Sequence, residues 1–181
     1  MQPMTDCLVR VEQREDAPAI RALLEAAFPG HFEARLVDEL RKKARPYLGL
    51  VALNASALLG HLLFTPVRCT EVPDARLFGL GPMAVDPAHQ RQGIGSQLMR
   101  GGLSAARDTG AAAVFVLGHP EYYPRFGFEK ASDHGLRCPW EVPDEAFMVL
   151  PLRKDGLIGL TGEIRYHPAF EGDGIAHDPA S

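Results

Sequence analysis

Cysteine is scarce in this chain: Cys7, Cys69 and Cys138 are the three thiols in 181 residues, far apart and without a C-x-x-C pair. So odd and sparse a set argues against a disulfide framework or a zinc site and predicts reduced, mostly buried thiols. Tryptophan occurs once, as Trp140. No apolar run reaches about 18 residues, so no membrane-spanning helix is expected. The opening MQPMTDCLVRVEQRED has neither the basic flank nor the apolar core of a secretory signal, and a cytoplasmic location is expected. Positive charge is not in surplus either. Lysine and arginine number 19 against 23 acidic residues, a net charge of −4, and the basic residues are scattered. That argues against nucleic acid as a partner held by bulk electrostatics, while leaving room for a local basic pocket.

What is present is an ordinary globular composition, 46% hydrophobic and 23% charged. The length suits one domain, 1–181, with a core over about 7–152 and a C-terminal extension, 153–181, whose polar Gly/Pro end reads as disordered. CLVRVEQ alternates like a half-buried strand. Asp16 is placed to cap a helix carrying Pro18 in its first turn, with Ile20, Leu23, Leu24, Ala27 and Phe28 on one face. A second amphipathic helix follows, with Phe32, Leu36, Val37 and Leu40 inward, and Arg45-Pro46 ends it. Strands are expected at 48–53, 57–67 and 76–85, the last interrupted by glycine and proline. A helix follows over 93–109, then a doubly covered strand at 111–118 and another at 146–152. The strand-like pieces of 153–170 could extend a sheet across a homodimer or fold back. The fold class is a mixed α/β domain with one dominant sheet.

The stretch HQRQGIGSQL (89–98) carries chemistry. A dinucleotide fingerprint fails because Leu98 stands where its third glycine belongs, and no Gly-Lys-Ser/Thr marks a P-loop. A plain strand-to-helix turn remains one reading. The other is Q-x-x-G-x-G, with Gln90, Gly93 and Gly95 in place. Backbone N–H groups of about residues 91 to 96 would then face phosphate oxygens at the positive end of a helix. Glycine at 93 and 95 would let a bulky pyrophosphate approach, with Arg91 adding charge.

VDPAHQRQGIGSQLM resembles the coenzyme A signature of the GNAT superfamily of N-acetyltransferases. VFVLGHPEYYPRFGF and LRCPWEVPDEAFMVLPL resemble its YhbS-like branch, and the likeness runs to about Pro151. It implies a GNAT-like acyl-CoA N-acyltransferase fold whose fourth and fifth strands, 76–85 and 111–118, splay apart. Gly79, Gly81 and Pro82 would permit the bend. It further implies acetyl-CoA as co-substrate, no metal, and a primary amine acceptor on a small molecule, peptide or protein. Met83, Ala84 and Val85 would offer main-chain groups to pantetheine, one N–H polarising the thioester carbonyl. Gln90, Arg91, Gln92, Gly93, Ile94, Gly95 and Ser96 would hold the pyrophosphate.

Tyr123, four residues before Gly127-Phe128, would serve the departing thiolate, with Tyr122 a packing neighbour that could take its place. A phenol of pKa about 10 beside a thiol of about 8.5 makes full transfer in water uphill by roughly 2 kcal/mol, so a hydrogen-bonding role fits. Glu33 is the expected base, with His31, His119 and Glu121 as further candidates. Trp140 reads as an anchor for its proline-rich loop. An acyl-CoA-binding sensor of the same fold would share the glycine motif. Direct transfer requires no cysteine nucleophile. Cys138→Ser is therefore expected to retain acetyl transfer, read as thiol release from acetyl-CoA, and its loss would reopen a covalent route.

Overall fold

The computed structural model describes residues 7–171. In chain order the elements are β1 (Leu8–Val11), α1 (Ala17–Ala27), α2 (Phe32–Lys43), β2 (Leu48–Leu53), β3 (Leu58–Cys69) and β4 (Leu77–Val85). They continue with α3 (Ile94–Asp108), β5 (Ala113–Leu117), β6 (Glu129–Lys130), β7 (Leu136–Arg137), β8 (Phe147–Pro151) and β9 (Gly162–Arg165). The main sheet runs β1-β2-β3-β4-β5-β8-β6, with β9 pairing both β3 and β7. The pieces of 153–170 thus fold back onto the chain's own sheet. The expected disordered end, from residue 172, lies outside the described residues.

Alternation along the strands sorts the core. Leu62, Phe64, Phe78 and Val114 face α3, where Leu98, Met99 and Leu103 meet them. Val51, Leu63 and Ala84 face α1 and α2, against Ile20, Leu24, Val37 and Leu40. Val67, Leu77, Phe115 and Val149 pack with Leu136, Leu160 and Ile164 from the later segments. β5 is covered on both faces, as its continuous apolar run predicts: Ala113 to Val116 are fully buried.

One local expectation is corrected. Asp16 precedes α1 but does not cap it with its side chain. Its own backbone is already helical (φ −73°, ψ −16°), which turns the carboxylate back toward the preceding 3₁₀ turn. There it accepts the Gln13 N–H at 2.7 Å and the Arg10 guanidinium at 2.7 and 2.9 Å.

A buried charged cluster pins α2 to the sheet. Glu12 accepts from Arg41 Nε at 2.8 Å and lies 2.7 Å from His61 Nε2, while His61 is fully buried. Gly49 leaves space for the Glu12 carboxylate, which a Cβ there would strike. Burial alone would raise the Glu12 carboxyl, but hydrogen bonds from His61 and Arg41 outweigh it and hold its pKa below the usual range. Burial also pushes the His61 pKa down, against the opposing pull of Glu12. A neutral His61 donating Nε2–H to an ionised Glu12 satisfies both directions.

Glu12→Ala leaves His61 and Arg41 without their carboxylate and is expected to cost about 3–5 kcal/mol in urea unfolding. Because both folded pKa values are depressed, the unfolded chain binds protons more readily. Stability should be complete above about pH 6.5 and decline as the pH falls further. His61→Gln should flatten that decline between about pH 6.5 and 5, leaving the carboxylate part below it.

Candidate active site

β4 and β5 run parallel and pair at Leu77–Ala113, Phe78–Val114 and Gly79–Phe115, and there the register ends. Beyond Gly79 the two strands part. On its other edge β4 stays paired with β3, but the register jumps: Phe64 faces Leu80 and Leu62 faces Met83. Gly81 and Pro82 are thus two residues opposite one, a bulge that bends the strand where Pro82 has no N–H to give. Gly79 itself is not part of the bulge, contrary to expectation. It is still paired on both edges, and its missing side chain makes room for the Tyr166 ring and Val67.

Past the bulge, Met83, Ala84 and Val85 lead to Asp86, which accepts the Ala88 N–H at 3.0 Å and contacts His89 Nδ1 at 2.9 Å. The Ala88 N–H first, and His89 second, hold the Asp86 carboxyl below its usual pKa. The chain then winds through Gln90, whose amide nitrogen donates to the Val85 carbonyl at 3.4 Å, and Arg91, at φ 61°. Gly93 follows at φ 83°, the left-handed position from which α3 starts. The first N–H groups of α3 have no intrahelical acceptor. They meet the parted end of β4 and β5.

A cavity of about 1010 Å³ occupies this junction. Its wall includes Met83, Ala84, Val85, Gln90, Arg91, Gly93, Ile94, Gly95 and Ser96 from β4, the loop and α3. The far side is Leu117, Gly118 and His119 at the end of β5, then Tyr122, Tyr123 and Arg125. It reaches through the fork to Ala27, Phe28 and Pro29 at the end of α1. None of its lining residues is acidic, although the chain carries a net −4. Arg91, Arg125 and the α3 N-terminus give it a positive lining, which suits an anion.

Comparison with known proteins decides the lineage. Residues 9–131 match the family model described as an acetyltransferase (GNAT) domain. The chain belongs to the GNAT acetyltransferases. It is 43% identical over 164 residues to uncharacterized N-acetyltransferase YhbS of Escherichia coli K12, covering 90% of this chain and 98% of that one. The crystal structure of Escherichia coli YhbS in complex with CoA superposes with a TM-score of 0.90 at 40% identity, over 98% of this chain and 99% of that one. A GNAT family acetyltransferase from Brucella melitensis, in complex with acetyl-CoA, gives 0.74 at 35% identity, over 91% and 98%. The parted strands and the glycine-led helix are thus those of a GNAT fold.

Within that fold, most of the sequence-derived positions converge on one cavity, and some do not. Gln92 is not on its wall and donates to the Ala88 carbonyl at 3.5 Å. Glu33 stands in the first turn of α2, outside the cavity wall, with one carboxylate oxygen buried and without a hydrogen-bond partner. His31 is exposed and 3.3 Å from Glu25, and Glu121 is exposed, whereas His119 lines the cavity. Cys138 packs in the third apolar cluster, and burial pushes its thiol pKa up, which disfavours a thiolate. Among the described residues no three His, Cys, Asp or Glu side chains are placed to hold a metal ion, and no helix is long and apolar enough to cross a membrane.

Two wall residues were not singled out as binding groups by sequence reasoning. Tyr122 is more than a packing neighbour: a Cβ on Gly95 would lie 3.0 Å from its hydroxyl, so that hydroxyl reaches the first turn of α3. Arg125 lies over the Tyr122 ring at 4.5 Å and donates Nε–H to the Tyr122 carbonyl at 2.9 Å. No local signal marked Arg125, which stands far along the chain from the glycine motif and reaches the cavity only through the 3₁₀ turn after β5. The two motif glycines therefore have separate causes, backbone conformation at Gly93 and proximity to Tyr122 at Gly95. Gly93→Ala is expected to destabilise the fold by about 1–2 kcal/mol through its left-handed backbone, measured by urea unfolding, and an unchanged midpoint would contradict that assignment.

Proposed function

We propose that this chain transfers an acetyl group from acetyl-CoA directly to a primary amine, on a small molecule, a peptide or a protein. The observation that carries this reading is the carboxylate-free cavity that passes through the fork, from the N-terminus of α3 to the end of α1. Such a passage lets a pyrophosphate-bearing donor and an amine reach one carbonyl from opposite faces of the sheet. Relatives crystallised with CoA and with acetyl-CoA support the choice of donor.

In this reading the N–H groups of residues 93–96, with Arg91 and Arg125, hold the pyrophosphate. The unpaired edge of Met83 to Val85 receives the amide groups of pantetheine, and a main-chain N–H there stabilises the charge that develops on the carbonyl oxygen. The neutral amine attacks the carbonyl carbon, the C–S bond breaks, and the nitrogen gives up a proton. Glu33 is proposed to receive that proton through water, since it is not among the residues that line the cavity.

Tyr123 serves the departing sulfur. It is 8% exposed and lines the cavity, its ring packed against Gly118. Burial first, and the neighbouring Tyr122 second, push its pKa above the ordinary phenol value. It therefore remains a neutral donor throughout the working range and stabilises the thiolate by hydrogen bonding as the bond breaks.

Thiol release from acetyl-CoA across a panel of amines and peptides tests this. Tyr123→Phe should lower kcat about 100-fold while leaving acetyl-CoA affinity, read by calorimetry, unchanged. Because the Tyr123 pKa is raised, kcat/KM should climb with pH as the acceptor amine loses its proton, with no alkaline decline from this phenol below about pH 10. Tight binding without transfer to any amine would favour an acyl-CoA sensor. No binding would remove the reading.

A further inference from the structure

Two buried hydroxyls belong to residues that adjoin Gly79 beside the fork, on the face that carries α1 and α2. Thr65 of β3 is fully buried, and its cross-strand partner is Gly79, the last β4 residue paired with β5. The Tyr166 ring lies over that same Gly79, where a Cβ would be 2.5 Å from ring carbon Cε1. Tyr166 follows β9, beyond the 9–131 stretch that defines the family match. Its ring sits 5.2 Å from Trp140 and 5.2 Å from Phe170, and it packs against both apolar clusters of that face.

Tyr166 is half-buried as a residue, and its hydroxyl is buried. Neither Tyr166 Oη nor Thr65 Oγ1 has a hydrogen-bond partner in the protein. Buried hydroxyls are ordinarily paired, so two unpaired ones at one point of the sheet mark a place for an external polar group. Burial pushes the Tyr166 phenol above its ordinary pKa, with smaller contributions from Cys138 and Tyr123.

We propose that Tyr166 and Thr65 form the polar floor of the acceptor subsite, their hydroxyls hydrogen-bonding the nitrogen of the incoming primary amine, with Trp140 and Phe28 as an apolar wall for its carbon chain. The chemistry suits the step. A neutral phenol and a neutral alcohol accept N–H hydrogen bonds without favouring the ammonium form, whereas a carboxylate here would hold the nitrogen protonated and unreactive. The Gly79 contact also explains why the C-terminal segment must return to the sheet: it delivers Tyr166 to the point where the strands part. This assignment rests on the acetyl-transfer reading above.

Its test compares wild type with Tyr166→Phe, Thr65→Val and Thr65→Ser, using n-butylamine and tyramine as probe acceptors. The acceptor KM is expected to rise about tenfold in Tyr166→Phe and Thr65→Val, and to stay within about twofold in Thr65→Ser, which keeps its hydroxyl. Affinity for CoA should be unchanged in all three, which also shows that they fold. In CoA-loaded wild type carrying ¹³Cζ-labelled tyrosine, the resonance absent from Tyr166→Phe should move saturably as amine is added. Unchanged acceptor KM values, an unmoved Tyr166 resonance, or failure of both amines to bind the CoA-loaded protein would overturn the assignment. Failure of the wild type to bind CoA would instead overturn the acetyl-transfer reading beneath it.

Discussion

The parting of β4 from β5 is the constraint on which the rest depends. A parallel pair that begins at Leu77–Ala113 would ordinarily continue, since each further residue adds ladder hydrogen bonds. Here the Gly81–Pro82 bulge bends β4 after three pairs. The gap cannot close by sliding one strand, because each is held on its outer edge. β4 keeps Met83 to Val85 paired with β3, and β5 is paired with β8 from Ala113–Pro151 to Leu117–Phe147. Main-chain groups along the inner edges are thereby left for something other than a neighbouring strand, as backbone accounting requires.

The position of the positively lined cavity follows from the same parting. Parallel neighbours need a crossover, and α3 supplies it, so the helix starts where β4 ends. Its N-terminus therefore opens onto the gap. An acidic chain must also keep its carboxylates away from this point, and several are held elsewhere. Glu12 is engaged by His61 and Arg41, Asp16 by Arg10 and the Gln13 N–H, and Asp86 by Ala88 and His89. The cavity wall is left with Arg91 and Arg125 as its charged residues.

Local signals in the sequence read well where one residue type has one physical use. Alternation located β1, the run LGLVAL located β2 at its observed bounds, and the unbroken apolar run located β5. The Q-x-x-G-x-G spacing placed a helix start within a residue of Ile94. Readings failed where a side chain had two destinations. Asp16 could cap forward or turn back, and Arg10 together with a helical backbone drew it back. Gly79 could bend the strand or admit a ring, and Tyr166, far along the chain, made it the latter.

The sequence by itself determined the major elements, the family, and the glycine-led loop that opens α3. These depend on periodicity, turn chemistry and conformations such as that of Gly93, all of which act over a few residues. Only the tertiary structure decided which polar groups share the fork. Thr65 and Tyr166 meet at Gly79, and Arg91 and Arg125 meet on the cavity wall, each pair drawn from separate stretches; both meetings depend on where a bulge ends one ladder and where β9 docks on β3. Spacing along the chain does not encode those meetings, because they are set by long-range pairing and close packing.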